Sequence, residues 1–78
     1  MVELKKVLTD IAKAIVDEPD KVSVDETVDG DNVVLELHVA EDDMGKVIGR
    51  HGKIAKSIRL VTKAAASTSG KKVTVDIR

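Results

Sequence analysis

The residues best suited to chemistry lie in one run, Gly45-Lys46-Val47-Ile48-Gly49-Arg50-His51-Gly52-Lys53. Gly49 and Gly52 enclose Arg50 and His51. Glycines let a turn tighten and let backbone approach a ligand with no side chain between them. Arg50 offers a guanidinium that grips a phosphate through two hydrogen bonds, and His51 offers a donor or a flat ring. A helix starting just after Gly52 aims its unpaired N–H groups and the positive end of its dipole at the same place. The anion that best matches this set is a phosphodiester. Other phosphate loops fail on spacing. A Walker A loop needs a glycine where Arg50 stands, and the dinucleotide fingerprint needs one where Val47 stands.

Little else in the chain is equipped for chemistry. There is no cysteine, which removes disulfides, thiolate metal sites and cysteine nucleophiles. Only His38 and His51 offer nitrogen ligands, so zinc is disfavoured and no metal site is expected. His38 falls on the polar side of a strand and reads as a surface residue. Asp42 and Asp43 read as helix-capping acids rather than a metal pair. Ser57, Thr62, Ser67 and Ser69 have no base that spacing would bring to them. No catalytic residue and no cofactor are expected, and the chain reads as a binding protein rather than an enzyme.

The formal net charge of −1 conceals a strong segregation. Residues 1–43 hold 4 Lys and Arg against 13 Asp and Glu, a balance of −9. Residues 44–78 hold 9 against 1, a balance of +8. Lys46, Arg50, Lys53, Lys56, Arg59 and Lys63 fall in a stretch with no acid at all. A basic surface can therefore form on a chain whose total is slightly acidic.

These residues need a scaffold, and the hydrophobic pattern supplies one. The chain is 78 residues long, a single domain over 1–78. It has no Phe, Trp or Tyr, so the core must come from Val, Ile, Leu and Ala. Leu4, Val7, Leu8, Ile11 and Ile15 form a helical stripe that ends at Asp17-Glu18-Pro19-Asp20. Val22, Val24 and Val28 share one parity and mark a strand. Asp29-Gly30-Asp31-Asn32 is turn chemistry. Val33, Leu35, Leu37 and Val39 then alternate cleanly, the clearest strand in the chain. Glu41-Asp42-Asp43 opens a helix kept short by Gly45 and Gly49. A longer helix follows Gly52, with Ile54, Ile58, Val61 and Ala65 as its expected apolar face. Lys53, Lys56, Arg59 and Lys63 gather within about a third of its circumference, taking 100° per residue. Leu60 sits on that basic side. Gly70 breaks the helix, and Val73, Val75 and Ile77 mark a last strand. No apolar run approaches the roughly 18–20 residues of a membrane span, and the charged N-terminus does not resemble a signal peptide. A cytoplasmic location is expected.

Val47-Ile48-Gly49-Arg50-His51-Gly52-Lys53, followed by Ile54 and Ile58, resembles the signature of the KH domain, an RNA- and single-stranded-DNA-binding module. The order α-β-β-α-α-β resembles its type II form, and the likeness runs over the whole chain. It is closest to small stand-alone bacterial KH proteins, the KhpA family, whose signature run resembles residues Ala40 to Gly52. Val16-Asp17-Glu18-Pro19-Asp20 also matches that family's pattern. The resemblance implies an α+β type II KH fold: a three-stranded mixed sheet with helices packed on one face.

It further implies that Gly49, Arg50, His51 and Gly52 clamp the backbone of about four unpaired nucleotides. Ile48, Lys53, Ile54 and Lys56 would flank the clamp, with Lys46 and Arg59 adding charge. The other groove wall is expected from the second strand, among Leu35, Leu37, Val39 or their opposite-face neighbours. Without aromatic stacking platforms, binding should be weak, with a dissociation constant of order 10⁻⁴ to 10⁻⁶ M. The expected ligand is single-stranded RNA, with single-stranded DNA as the variant. The expected role is post-transcriptional regulation or RNA chaperoning, as a homodimer or with a larger KH-containing RNA-binding protein. Leu60 is the candidate for such contact. The competing reading is an assembly module of a ribonucleoprotein complex with little RNA binding of its own.

Overall fold

The structure is a computed structural model that describes residues 3–77. Met1, Val2 and Arg78, which the 1–78 span includes, lie outside the described residues. Helix α1 spans Leu4–Ile15, strand β1 Ser23–Asp29, strand β2 Asn32–His38, helix α2 Met44–Ile48, helix α3 Lys53–Ser67 and strand β3 Lys72–Ile77. The order is the expected α-β-β-α-α-β. Single 3₁₀ turns at Pro19–Lys21, Glu41–Asp43 and Arg50–Gly52 join the elements.

The sheet is mixed, in the order β1-β2-β3. β1 and β2 form an antiparallel hairpin closed by the Asp29–Asn32 pair across Gly30-Asp31. β3 runs parallel to β2, with Asn32 opposite Lys72 and Leu35 opposite Val75. Parallel neighbours require a long crossover, and here α2 and α3 form it. β2 is therefore the central strand, and its alternation is the cleanest because both flanks are covered. Leu35 and Leu37 are fully buried with Val33 on the helix-covered face. Val24, Val73 and Val75 lie on the same face, and Leu4, Leu8 and Ala12 of α1 close over it. Each fully buried leucine of this kind contributes about 2–3 kcal/mol.

Two expectations about the core are corrected. On α3 the buried residues are Ala55, Ile58, Thr62 and Ala66, not Ile54, Ile58, Val61 and Ala65. The true face is rotated by about one residue. Thr62 occupies it because its hydroxyl donates to the Ile58 carbonyl at 2.7 Å, so no polar group is left unpaired. Ala65 is only partly buried, while Ile54 and Val61 are exposed. On β1, Val28 shares the parity of Val24 but is 52% exposed. It sits at the hairpin end of the edge strand β1, while its partner Val33 on the central strand stays buried.

Candidate nucleic-acid interface

α2 ends because Gly49 leaves helical geometry, at φ 74° and ψ 176°. His51 follows at φ 58° and ψ 24°, and Gly52 at φ 73° and ψ 14°. Three of the four turn residues thus have positive φ. Among the described residues, His51 is the only non-glycine that does. Left-handed geometry costs an L-residue roughly 1–2 kcal/mol, and such strain gathers at functional sites.

Gly49 is required by space as well as by geometry. A Cβ built on it would lie 2.5 Å from Ile54 Cγ1 and 2.8 Å from Ile54 Cβ. At Gly52 a Cβ would meet nothing within 4 Å. The turn delivers the chain straight into α3. No side chain caps that helix, and its first turn carries no acid. The Lys53 N–H that opens the helix donates to the Arg50 carbonyl, and the positive end of the dipole still faces an anion placed there. Arg50, His51, Lys53 and Lys56 are exposed around this point. Ile48 and Ile54, 39% and 37% exposed, place aliphatic surface beside them.

Lys46 is placed differently from the rest. Its ammonium is hydrogen-bonded to the Asp17 carboxylate and lies 3.9 Å from Asp43. The Asp17 hydrogen bond holds its pKa above the ordinary lysine value. It is tied to the loop after α1 rather than left with the basic group. Arg59 is also engaged: its Nε donates to the Val75 carbonyl at 3.3 Å.

That bond identifies the strand beside α3. Leu35 and Leu37 cannot wall a groove, because both are fully buried in the central strand. Their neighbours Val34, Glu36 and His38 lie on the opposite face of the sheet, away from α3. The strand that borders α3 is β3, an edge strand. Lys72 N–H donates to the Asp31 carbonyl, toward β2. Backbone groups alternate along a parallel ladder, so those of Val73 and Val75 face outward. Arg59, Lys63, Val73, Thr74, Val75 and Asp76 line a cleft of about 280 Å³ there. The strand that borders α3 and this cleft is thus β3, not β2.

One residue of consequence escaped the sequence reading as such. Asp43 is 2% exposed and does not cap a helix. Its Oδ1 accepts the Asp17 N–H at 3.2 Å and its Oδ2 the Glu18 N–H at 3.0 Å. It ties the end of α1 to the start of α2, the helix that carries the turn. The signal was its spacing of four from Val47, which puts both on one buried face.

The comparisons agree on a family. The sequence model described as KhpA/KhpB, KH domain, matches residues 5–77. The chain is similar to the RNA-binding protein KhpA of Clostridium acetobutylicum, 53% identical over 74 residues, covering 95% of this chain and 99% of that one. It is 40% identical over 77 residues to the RNA-binding protein KhpA of Aquifex aeolicus, covering 99% and 98%. Among solved structures it is similar to Era in complex with MgGDPNP and nucleotides 1506–1542 of 16S ribosomal RNA. The TM-score is 0.68 at 17% identity, over 95% of this chain and 28% of Era. Aquifex aeolicus Era gives 0.65 at 17% identity, over 95% and 29%. The chain spans less than a third of Era, and the likeness concerns the fold.

Proposed function

The chain belongs to the KhpA/KhpB family of KH domains, and from that premise we propose that it binds single-stranded RNA as one KH domain over residues 1–78. The observation that carries this reading is the Gly49–Gly52 turn. Two glycines and a left-handed His51 hold the backbone in a shape that exposes Arg50 and His51 at an uncapped helix start. In this proposal the turn grips the sugar–phosphate chain of about four nucleotides. Lys53 and Lys56 add charge, and Ile48 and Ile54 pack on sugars. Bases lie along the α3–β3 cleft, where Arg59 and Lys63 stand. Lys46 joins the phosphate contacts only when it leaves Asp17. Single-stranded DNA fits the same groups, less the 2′-hydroxyl contacts.

A single site of four nucleotides is small, and pairing two copies raises the effective affinity. Leu60, 70% exposed, and Val61, 49% exposed, give α3 an outward apolar surface. We assign self-association, or docking on a larger KH-containing protein, to that surface. The role is RNA chaperoning or post-transcriptional regulation in the cytoplasm, without catalysis. Among the described residues no helix is long and apolar enough to cross a membrane.

The test is fluorescence anisotropy of a labelled, unstructured RNA. The label belongs on the RNA, because the protein has no Trp or Tyr. Wild type should bind, with log K falling against log salt at a slope of about −3 if four phosphates are neutralised. The Arg50→Asp/His51→Asp variant should lose binding and keep its helical circular dichroism, since aspartate tolerates left-handed geometry. Absence of binding by wild type at low salt would favour the assembly-module reading instead.

A further inference from the structure

We propose that the open face of the sheet carries a site for a divalent transition-metal ion, formed by Asp25, Glu36 and His38. Counting nitrogen and sulfur donors along the sequence gives no such site. The fold adds two carboxylates to one imidazole. His38 Nε2 lies 3.2 Å from Asp25 Oδ2 and 3.8 Å from Glu36 Oε2. One ligand atom from each of the three residues lies within 4.8 Å of the other two.

The sheet explains why they meet. Asp25 stands directly opposite Glu36 in the β1–β2 ladder. His38 is two residues beyond Glu36, so its side chain leaves the same face. The helices cover the other face, and solvent reaches all three residues. The ladder also continues onto β3, where Asp76 stands opposite Glu36. Three carboxylates therefore form a row across all three strands. Like charges directly opposed across strands repel. His38 already bridges the two carboxylates, and a doubly charged cation among the three would take one nitrogen and two oxygen donors from them. Nitrogen with carboxylate oxygen suits zinc and its first-row neighbours. The donors sit on paired strands rather than loops, so binding requires side-chain rotation only. Coordination positions facing solvent stay open to water or to a donor from another molecule.

The experiment is calorimetric titration of the full chain with zinc chloride, paired with NMR of the histidine rings. One zinc per chain is expected, with the Nε2 resonance of His38 shifting and that of His51 unmoved. His38→Gln and Asp25→Asn should each weaken binding by at least about tenfold, since even outer-shell partners of a metal are worth that much. Both positions are on the open face, and unchanged circular dichroism confirms folding. No heat with millimolar zinc would overturn the proposal. So would zinc binding that persists in His38→Gln, or that moves the His51 ring instead.

Discussion

Gly49 packs against Ile54 so closely that a methyl group on its α-carbon would fall 2.5 Å from Ile54 Cγ1. Its φ of 74° with ψ of 176° is a combination that essentially only glycine adopts. Gly49→Ala should therefore cost about 3 kcal/mol or more, from strain and clash together. Gly52→Ala meets open space and should cost about 1 kcal/mol, from left-handed geometry alone. Urea unfolding followed by circular dichroism measures both. Equal losses would mean that the Ile54 contact does not constrain the turn.

His51 predicts a conflict between stability and binding. His51→Gly removes the left-handed strain but enlarges the freedom of the unfolded chain. The net gain should be about 0.5–1 kcal/mol. On the proposed reading RNA affinity should fall in the same variant, because the ring would no longer contact RNA. A variant that is both less stable and equally tight would refute the assignment.

Asp43 holds the approach to the turn. Asp43→Ala leaves the N–H groups of Asp17 and Glu18 without their carboxylate and should cost about 2–4 kcal/mol. Asp43→Asn keeps one acceptor oxygen and should cost less. Amide resonances of Gly49 to Gly52 should shift in both variants, although they are distant in sequence from residues 17 and 18. Resonances that stay in place would confine Asp43 to a local role.

Asp17 withholds a lysine from the basic surface. Asp17→Ala keeps the backbone N–H that Asp43 accepts and releases Lys46. RNA affinity should rise up to about fivefold at low salt, and the salt slope should steepen by about 0.7. The Asp17→Ala/Lys46→Ala pair should return to the affinity of Lys46→Ala. Neutral pH changes do not substitute for the mutation. The Lys46 pKa is raised by its hydrogen bond to Asp17, so the contact is complete below the unfolded lysine value. It is lost only as alkaline pH passes the raised one.

What could be read from the sequence was whatever the chain decides locally. The alternation of residues 33–38 is clean because β2 is central and half covered. The glycine spacing at 49 and 52 carries a backbone requirement in residue type alone. Thr62 misled because hydropathy counts a hydroxyl as polar, while the helix satisfies it internally through Ile58. That β3 borders α3 could not be read locally, because it depends on a parallel pairing, Asn32 with Lys72, that no local pattern encodes. Asp43 hid for the same reason, since its partners lie before β1.

The parallel pairing of β2 with β3 also bears on when the protein becomes competent. The β1–β2 hairpin closes on neighbouring residues, but β3 must wait for the whole α2–α3 crossover. A chain emerging from the ribosome displays the Gly49–Gly52 turn well before it holds the strand that walls the cleft. The α3–β3 cleft is thereby completed only when the last described strand has docked, and an incomplete chain presents the basic side chains of α3 without it.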